Sequence, residues 1–292
     1  MKKPKVIVIV GATTTGKSAY AVTLAKNIKG EIISADSRQV YRGLNLLSGK
    51  ITKKEMRGIP HHMLDIVSPK KSYTVADFKK TGEKIIQDIL SRDKTPIIVG
   101  GTGFYIDALV SGNVLPEVPP NQVLRKKLTL NSAEKNFVLL KKLDPNRAKT
   151  IDRHNNVRII RAIEIVQAVG KVPPLKHGLS KYETTWIGLN VPDELLKKKI
   201  HIRLQNRLKS GMLREAKKLH ESGVSWKRMH ELGLEVRYTA LYLQGKINKK
   251  EMLEKLEQEI WQYAKRQKTW FKRNKEIDWI DPRKFKIAEY KI

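Results

Sequence analysis

Residues 5–18 read KVIVIVGATTTGKS. Residues 6–10 (VIVIV) are an unbroken β-branched run of strand length, the pattern of a strand buried on both faces. The run passes directly into GATTTGKS at 11–18, which matches G-x-x-x-x-G-K-[ST] in full and opens an amphipathic stretch at 17–28. Phosphate binding needs this spacing. The glycines let backbone N–H groups close around phosphate oxygens, and a helix N-terminus adds partial positive charge. Lys17 supplies a full charge on a flexible stem, and the Ser18 hydroxyl is a candidate Mg²⁺ ligand. Gly11, Ala12, Thr13, Thr14, Thr15, Gly16, Lys17 and Ser18 are therefore expected to bind a di- or triphosphate. The motif does not say which.

Outward from the loop, short apolar runs at 31–34 (EIIS) and 96–99 (PIIV) alternate with a helical pattern at 75–91. Buried runs joined by helices imply parallel strands and right-handed crossovers. The expected fold class is α/β, a P-loop NTPase-like parallel sheet core, with ligands at the carboxyl ends of the strands. The run IISAD at 32–36 brings Asp36 to that edge, as a metal-binding carboxylate or a general base. A turn or N-cap aspartate is the plainer alternative. Many phosphate-loop enzymes end a strand in a metal-holding Asp. Here 97–99 ends instead in Gly100-Gly101-Thr102-Gly103.

The pattern changes at LPEVPP, 115–120. From 121 to about 170 only helical periodicity is present, and VPP at 172–174 punctuates its end. Strand character returns at 184–191 (TTWIGLNV), followed by helical stretches at 194–210, 213–221, 236–243 and 249–273 and a last possible strand at 275–280. The expected organisation is a catalytic core of residues 1–115 and 182–292 with an all-helical insertion at 116–181. The arginines and lysines crowding the insertion point to a binding role; a plain helical excursion is the alternative. Trp261, Tyr263, Trp270 and Phe271 read mainly as core. His61 and His62 point apart on any regular element, and no third ligand is suitably spaced.

The 292 residues carry 59 Lys+Arg against 29 Asp+Glu, a formal net charge of +30. Such an excess favours a polyanionic partner, because Lys and Arg displace counterions from phosphates. Its plainer role is solubility. The absence of cysteine excludes disulfides, thiolate zinc sites and a cysteine nucleophile, and fits a reducing compartment. No run is long enough for a membrane span or a signal-peptide core. A cytoplasmic protein without membrane contact is expected.

The sequence resembles the tRNA dimethylallyltransferases, also called tRNA isopentenyltransferases. The matching segments are 11–18 (GATTTGKS), 33–41 (ISADSRQVY), 61–69 (HHMLDIVSP), 73–78 (YTVADF), 97–105 (IIVGGTGFY), 156–164 (NVRIIRAIE) and 262–273 (QYAKRQKTWFKR). They are collinear over nearly the whole chain, and DSRQVY with VGGTGFY at this separation is specific. The resemblance implies transfer of a dimethylallyl group from dimethylallyl diphosphate to N6 of the adenine 3′ of the anticodon, in tRNAs reading codons that start with U. It implies a monomer that holds the anticodon stem-loop with its helical lobe. In that family the loop grips a diphosphate leaving group, with Mg²⁺ bridging through Ser18. Asp36 matches the general base and Thr102 a threonine near the reacting centre. Ser37, Arg38 and Gln39 match the segment beside the flipped base; Arg125, Arg158 and Arg161 match tRNA-touching positions.

Two departures from the family's pattern stand out. LLSGKIT at 46–52 replaces IGTAKP, keeping Lys50 and offering Ser48 for the threonine. GLEVR at 233–237 replaces GYR or GYK, which displaces the expected diphosphate-binding cation to Arg237. Two other readings remain open at this stage. One is an isopentenyltransferase or P-loop kinase acting on a free adenine nucleotide. The other is a nucleic-acid-binding ATPase. The charge and the helical insertion argue against a small acceptor.

Overall fold

The computed structural model describes residues 3–114, 116–173, 176–177 and 179–283. Leu115 and Pro174, one in each proline-rich junction, fall outside that set. The chain divides into two compact units, Met1–Gly112 with Leu179–Ile292, and Asn113–Gly178.

The first half of the larger unit comprises β1 (Lys5–Gly11), α1 (Lys17–Asn27), β2 (Gly30–Ala35), α2 (Lys53–Met56), β3 (His61–His62), α3 (Val75–Ser91), β4 (Thr95–Gly100) and α4 (Gly103–Val110). The smaller unit follows, with β5 (Asn113–Val114), α5 (Gln122–Thr129), α6 (Ala133–Leu143), α7 (Pro145–Thr150), α8 (Asn156–Val169) and β6 (Lys176–His177). The chain then returns with β7 (Glu183–Leu189), α9 (Asp193–Lys209), α10 (Met212–Glu221), α11 (Trp226–Glu231), α12 (Leu234–Leu243), α13 (Lys249–Phe271) and β8 (Asp278–Ile280).

The sheet is six-stranded and parallel, in the order β3-β2-β4-β1-β7-β8. This is the expected P-loop-like α/β core. β1 lies between β4 and β7, with Ile7 opposite both Ile97 and Thr185. Its β-branched run supplies both faces. Val6, Val8 and Val10 pack with Phe78, Ile86 and Ile106, while Ile7 and Ile9 pack with Tyr20 and Leu24. The alternation follows from the two-residue period of a strand. A third cluster joins α9–α13 to the loop residues Val40, Leu44 and Leu47.

In the smaller unit, Leu128, Leu140, Ile159 and Ile163 form a separate core. Asn121, Ser132, Asp144 and Asn155 each cap the helix that follows, their side chains accepting a backbone N–H three residues on. These caps divide the helical stretch into four helices. The unit is not all-helical, because β5 pairs with β6 in a short antiparallel ladder. Its limits lie at 112/113 and 178/179, three residues before the expected 115/116 and 181/182. Ser180 shows why: its hydroxyl donates to the carbonyls of Val110 and Tyr182, both residues of the larger unit.

Candidate active site

The phosphate loop leaves β1 at Gly11, whose φ of +147° lies where L side chains are strained. A Cβ there would sit 2.6 Å from the Leu189 carbonyl oxygen of β7, so the close approach also requires glycine. Thr14 and Gly16, with φ of +62° and +96°, turn the chain into α1. Two groups converge on the Ala12 carbonyl: Thr15 Oγ1 at 2.9 Å and Lys17 Nζ at 2.6 Å.

A cavity of about 690 Å³ opens over this loop at the carboxyl edge of the sheet. Thr13, Thr14, Gly16, Lys17 and Ser18 line it; Gly11, Ala12 and Thr15 do not. Five of the eight motif residues thus face the cavity. Gly11 closes against β7, and the buried Thr15 hydroxyl is engaged by Ala12, so these three residues shape the loop from beneath.

Burial pushes the Lys17 ammonium down to about 7, with Arg203 adding to the effect and Asp36 opposing it. Arg203, on α9, donates from Nη2 to the Gly49 carbonyl at 2.9 Å and from Nη1 to Thr13 Oγ1 at 3.4 Å. Burial holds its pKa below the usual arginine value. Among the described residues Arg203 forms no ion pair; it lines the cavity half-buried, with Glu235, Asp36 and Glu55 opposing the fall in its pKa. Arg207, one turn on, is paired with Glu235 at 2.8 Å, yet its Nη2 is buried with no partner. The sequence reading missed both arginines. Their signal was the spacing of Lys199, Arg203 and Arg207, which recur every fourth residue and share one helix face.

Opposite these cations, Asp36 follows β2. Its Oδ1 accepts from the backbone N–H of Arg38 at 2.8 Å and of Gln39 at 3.3 Å. The turn role is therefore real. It also orients the carboxylate, whose Oδ2 accepts no hydrogen bond among the described residues while Asp36 lines the cavity. Thr102 occupies the N-cap position of α4 without capping it through its side chain. Its Oγ1 instead accepts from Ser37 N–H at 3.1 Å, and its N–H donates to the Ala35 carbonyl at 3.2 Å. Gln39 lines the cavity and donates weakly to the Gly49 carbonyl at 3.5 Å. Arg38 is exposed and reaches the Glu231 carbonyl at 3.0 Å.

Tyr263 and Gln267, one turn apart on α13, both line the cavity. The sequence reading put Tyr263 in the core and passed over Gln267. Burial holds the Tyr263 hydroxyl well above the usual tyrosine range. Gln267 is 4% exposed.

Arg237 is corrected as a diphosphate ligand. It is exposed on α12, does not line the cavity, and donates to the His230 carbonyl at 3.0 Å. The two-residue displacement in the sequence carries it around the helix. Lys50 holds its loop through Asp65 at 2.5 Å and the Tyr41 carbonyl at 3.0 Å, with Nζ at the cavity's edge. His62 pairs with Glu31 at 2.8 Å, while His61 turns to the Ile59 carbonyl.

In the smaller unit, Arg125 and Arg161 both pair with Glu164, whose side chain is fully buried, at 2.6 and 3.2 Å. Arg161 also donates to the Val118 carbonyl. These two arginines hold α5 and the preceding segment to α8. The Arg158 side chain is exposed.

Among the described residues no group of three His, Cys, Asp or Glu is placed to hold a metal ion. The Ser18 hydroxyl and the Asp36 carboxylate do line the same cavity. That donor set fits Mg²⁺, which takes one or two protein oxygens and completes its shell with water and phosphate. Among the described residues no helix is long and apolar enough to cross a membrane.

A family model described as IPP transferase matches residues 39–274. A protein of Treponema denticola named tRNA dimethylallyltransferase 2 is 43% identical over 94% of this chain and 95% of its own. A tRNA dimethylallyltransferase of Anoxybacillus flavithermus is 37% identical over 99% and 94%. Among solved structures, the tRNA isopentenylpyrophosphate transferase of Staphylococcus epidermidis superposes with a TM-score of 0.72 at 35% identity, covering 98% and 95%. A eukaryotic dimethylallyltransferase described as acting on tRNA gives 0.81 at 28% identity, covering 95% of this chain and 74% of that one.

Proposed function

The chain belongs to the IPP transferase family, and from that premise we propose how its cavity performs prenyl transfer to tRNA. The protein is a tRNA dimethylallyltransferase. The donor is dimethylallyl diphosphate, and the acceptor is N6 of the adenine 3′ of the anticodon in tRNAs that read codons beginning with U. One observation carries the reading. A single cavity brings two half-buried cations that form no ion pair among the described residues, Lys17 and Arg203, together with the open oxygen of Asp36. An anionic leaving group and a nucleophile that must lose a proton need those two ends.

The diphosphate binds over Thr13, Thr14, Gly16, Lys17 and Ser18, with Arg203 on its flank. The adenine leaves the loop stack to enter the cavity, as bases do in other base-modifying enzymes. Its exocyclic amine is a poor nucleophile because the lone pair is delocalised into the ring. Asp36 Oδ2 accepts a hydrogen bond from N6 and aligns the lone pair on allylic C1. As the N6–C1 bond forms, the C1–O bond breaks and its electron pair leaves with the diphosphate. Asp36 takes the N6 proton. Lys17, Arg203 and the loop amides stabilise the charge developing on the leaving oxygen. Ser18 would hold Mg²⁺ beside the diphosphate, where the ion would supply further neutralisation of that charge. Thr102 acts by positioning, since its backbone and hydroxyl hold the residues on either side of Asp36. A tRNA substrate goes with residence in the cytoplasm.

The test is incubation with unmodified anticodon stem-loop RNA, dimethylallyl diphosphate and Mg²⁺, then digestion and nucleoside mass analysis. A five-carbon gain on the adenosine 3′ of the anticodon is expected. A gain only on free AMP in a parallel tube would transfer the activity to a small nucleotide.

A further inference from the structure

Asp36 and the phosphate loop stand on different strands, so their spacing depends on what ties them together. One buried side chain does so. Gln267 Oε1 accepts the Thr13 N–H at 2.8 Å, and its Nε2 donates to the Gly101 carbonyl at 2.8 Å. Gly101 precedes Thr102, which bonds the residues on both sides of Asp36: its N–H to the Ala35 carbonyl, its hydroxyl from Ser37 N–H. A path of hydrogen bonds and short backbone links thus runs from the diphosphate loop through one amide to the residues flanking Asp36. The fit at the amide is tight. A Cβ at Gly101 would lie 2.0 Å from Gln267 Nε2.

Resting on the reading above, we propose that Gln267 is a positioning residue that sets the spacing between the diphosphate loop and the carboxylate of Asp36. The role needs a primary amide. Only a group with both an acceptor and a donor satisfies the Thr13 N–H and the Gly101 carbonyl together. An ionised carboxylate keeps the first bond and opposes the second. An aliphatic side chain makes neither. Both ends of the Gln267 amide are engaged by backbone groups, so its effect is expected in the rate of the bound complex.

The experiment compares Gln267→Leu, Gln267→Glu and Gly101→Ala with the wild type. Single-turnover transfer is measured at saturating dimethylallyl diphosphate and stem-loop RNA, together with the affinities for inorganic pyrophosphate and for the RNA. A displacement of about 1 Å between reacting groups costs on the order of 100-fold in rate. Each variant is therefore expected to lose roughly 10- to 100-fold in the bound rate, with both affinities within about threefold of wild type. Gln267→Glu carries a further signature. Its rate relative to wild type rises as the pH falls, because the protonated carboxyl regains a donor for Gly101. Combining Gly101→Ala with Gln267→Leu should cost little more than the worse single change, as expected for two lesions at one hydrogen bond. If Gln267→Leu fails to fold, the other two variants carry the test. A saturating rate within threefold of wild type in the folded variants overturns the proposal, as does a loss confined to affinity. Absence of transfer by the wild type would overturn the function itself, and so is distinguished from a failure of this role.

Discussion

Lys17 is the residue where phosphate recognition leaves a measurable trace. Burial and the neighbouring Arg203 hold its pKa at about 7 in the ligand-free site. A diphosphate adds negative charge beside the ammonium and drives that value up, so binding must take up a proton. At pH 7.5 the uptake should approach about 0.8 proton, and pyrophosphate affinity should weaken as the pH rises above 7. Calorimetric titration with pyrophosphate in two buffers of different ionisation enthalpy reads the proton directly; equal heats in both would contradict it. Asp36 offers the complementary case. Asp36→Ala removes the open Oδ2 and should reduce transfer to below a few per cent of wild type, while stem-loop binding stays within a fewfold. A variant that keeps substantial activity would return Asp36 to the turn role its Oδ1 already fills.

At the scale of elements, the strand-loop-helix of residues 5–27 was legible because every local signal agreed: β-branched run, glycines, lysine, amphipathic helix. The same holds for β2, β4, β7 and α3. Short elements were not legible. β3 is two residues long and forms only because β2 offers it an edge. α7 begins at Pro145 directly after Asp144, a cap-and-proline start that periodicity overlooks. At the site, Tyr263 read as a core position on a long helix, and Gln267 went unmarked within it. The Gln267 amide acquires its partners only when β1 and β4 bring their loops beneath α13.

The start of β2 shows another tertiary effect. Glu31, 3% exposed at its side chain, is held by Arg92, Lys94 and His62. The Arg92 guanidinium first, with the other two, keeps its carboxyl far below the ordinary 4.5, against the opposing effect of burial. A depressed folded pKa means the stabilisation is complete above about 4.5 and fades as the pH falls. Glu31→Gln should therefore cost about 2 kcal/mol at pH 7, at the low end for a broken buried pair because Arg92 and Lys94 are partly solvated. Urea midpoints at pH 7 and pH 3.5 should differ more between wild type and variant at the higher pH.

At the scale of the whole molecule, the +30 charge is the property that composition alone delivered, and tRNA gives it a purpose. What composition does not deliver is which cations are free to act. Arg125 and Arg161 matched family positions that touch RNA, yet both are engaged by the buried Glu164. Arg158, on the same helix as Arg161, is exposed. The three should separate in a salt titration of stem-loop binding. With several phosphates neutralised, wild-type affinity should fall by about 10³-fold between 50 and 200 mM salt. Arg158→Ala should lower the slope of log affinity against log salt by about one unit, the signature of one phosphate no longer neutralised by the protein. Arg125→Ala should change the slope less and the melting temperature more, since it strips a buried carboxylate of its partner at 2.6 Å. An unchanged slope for Arg158→Ala would assign that residue to solvated surface charge and leave phosphate binding to other basic side chains of the molecule.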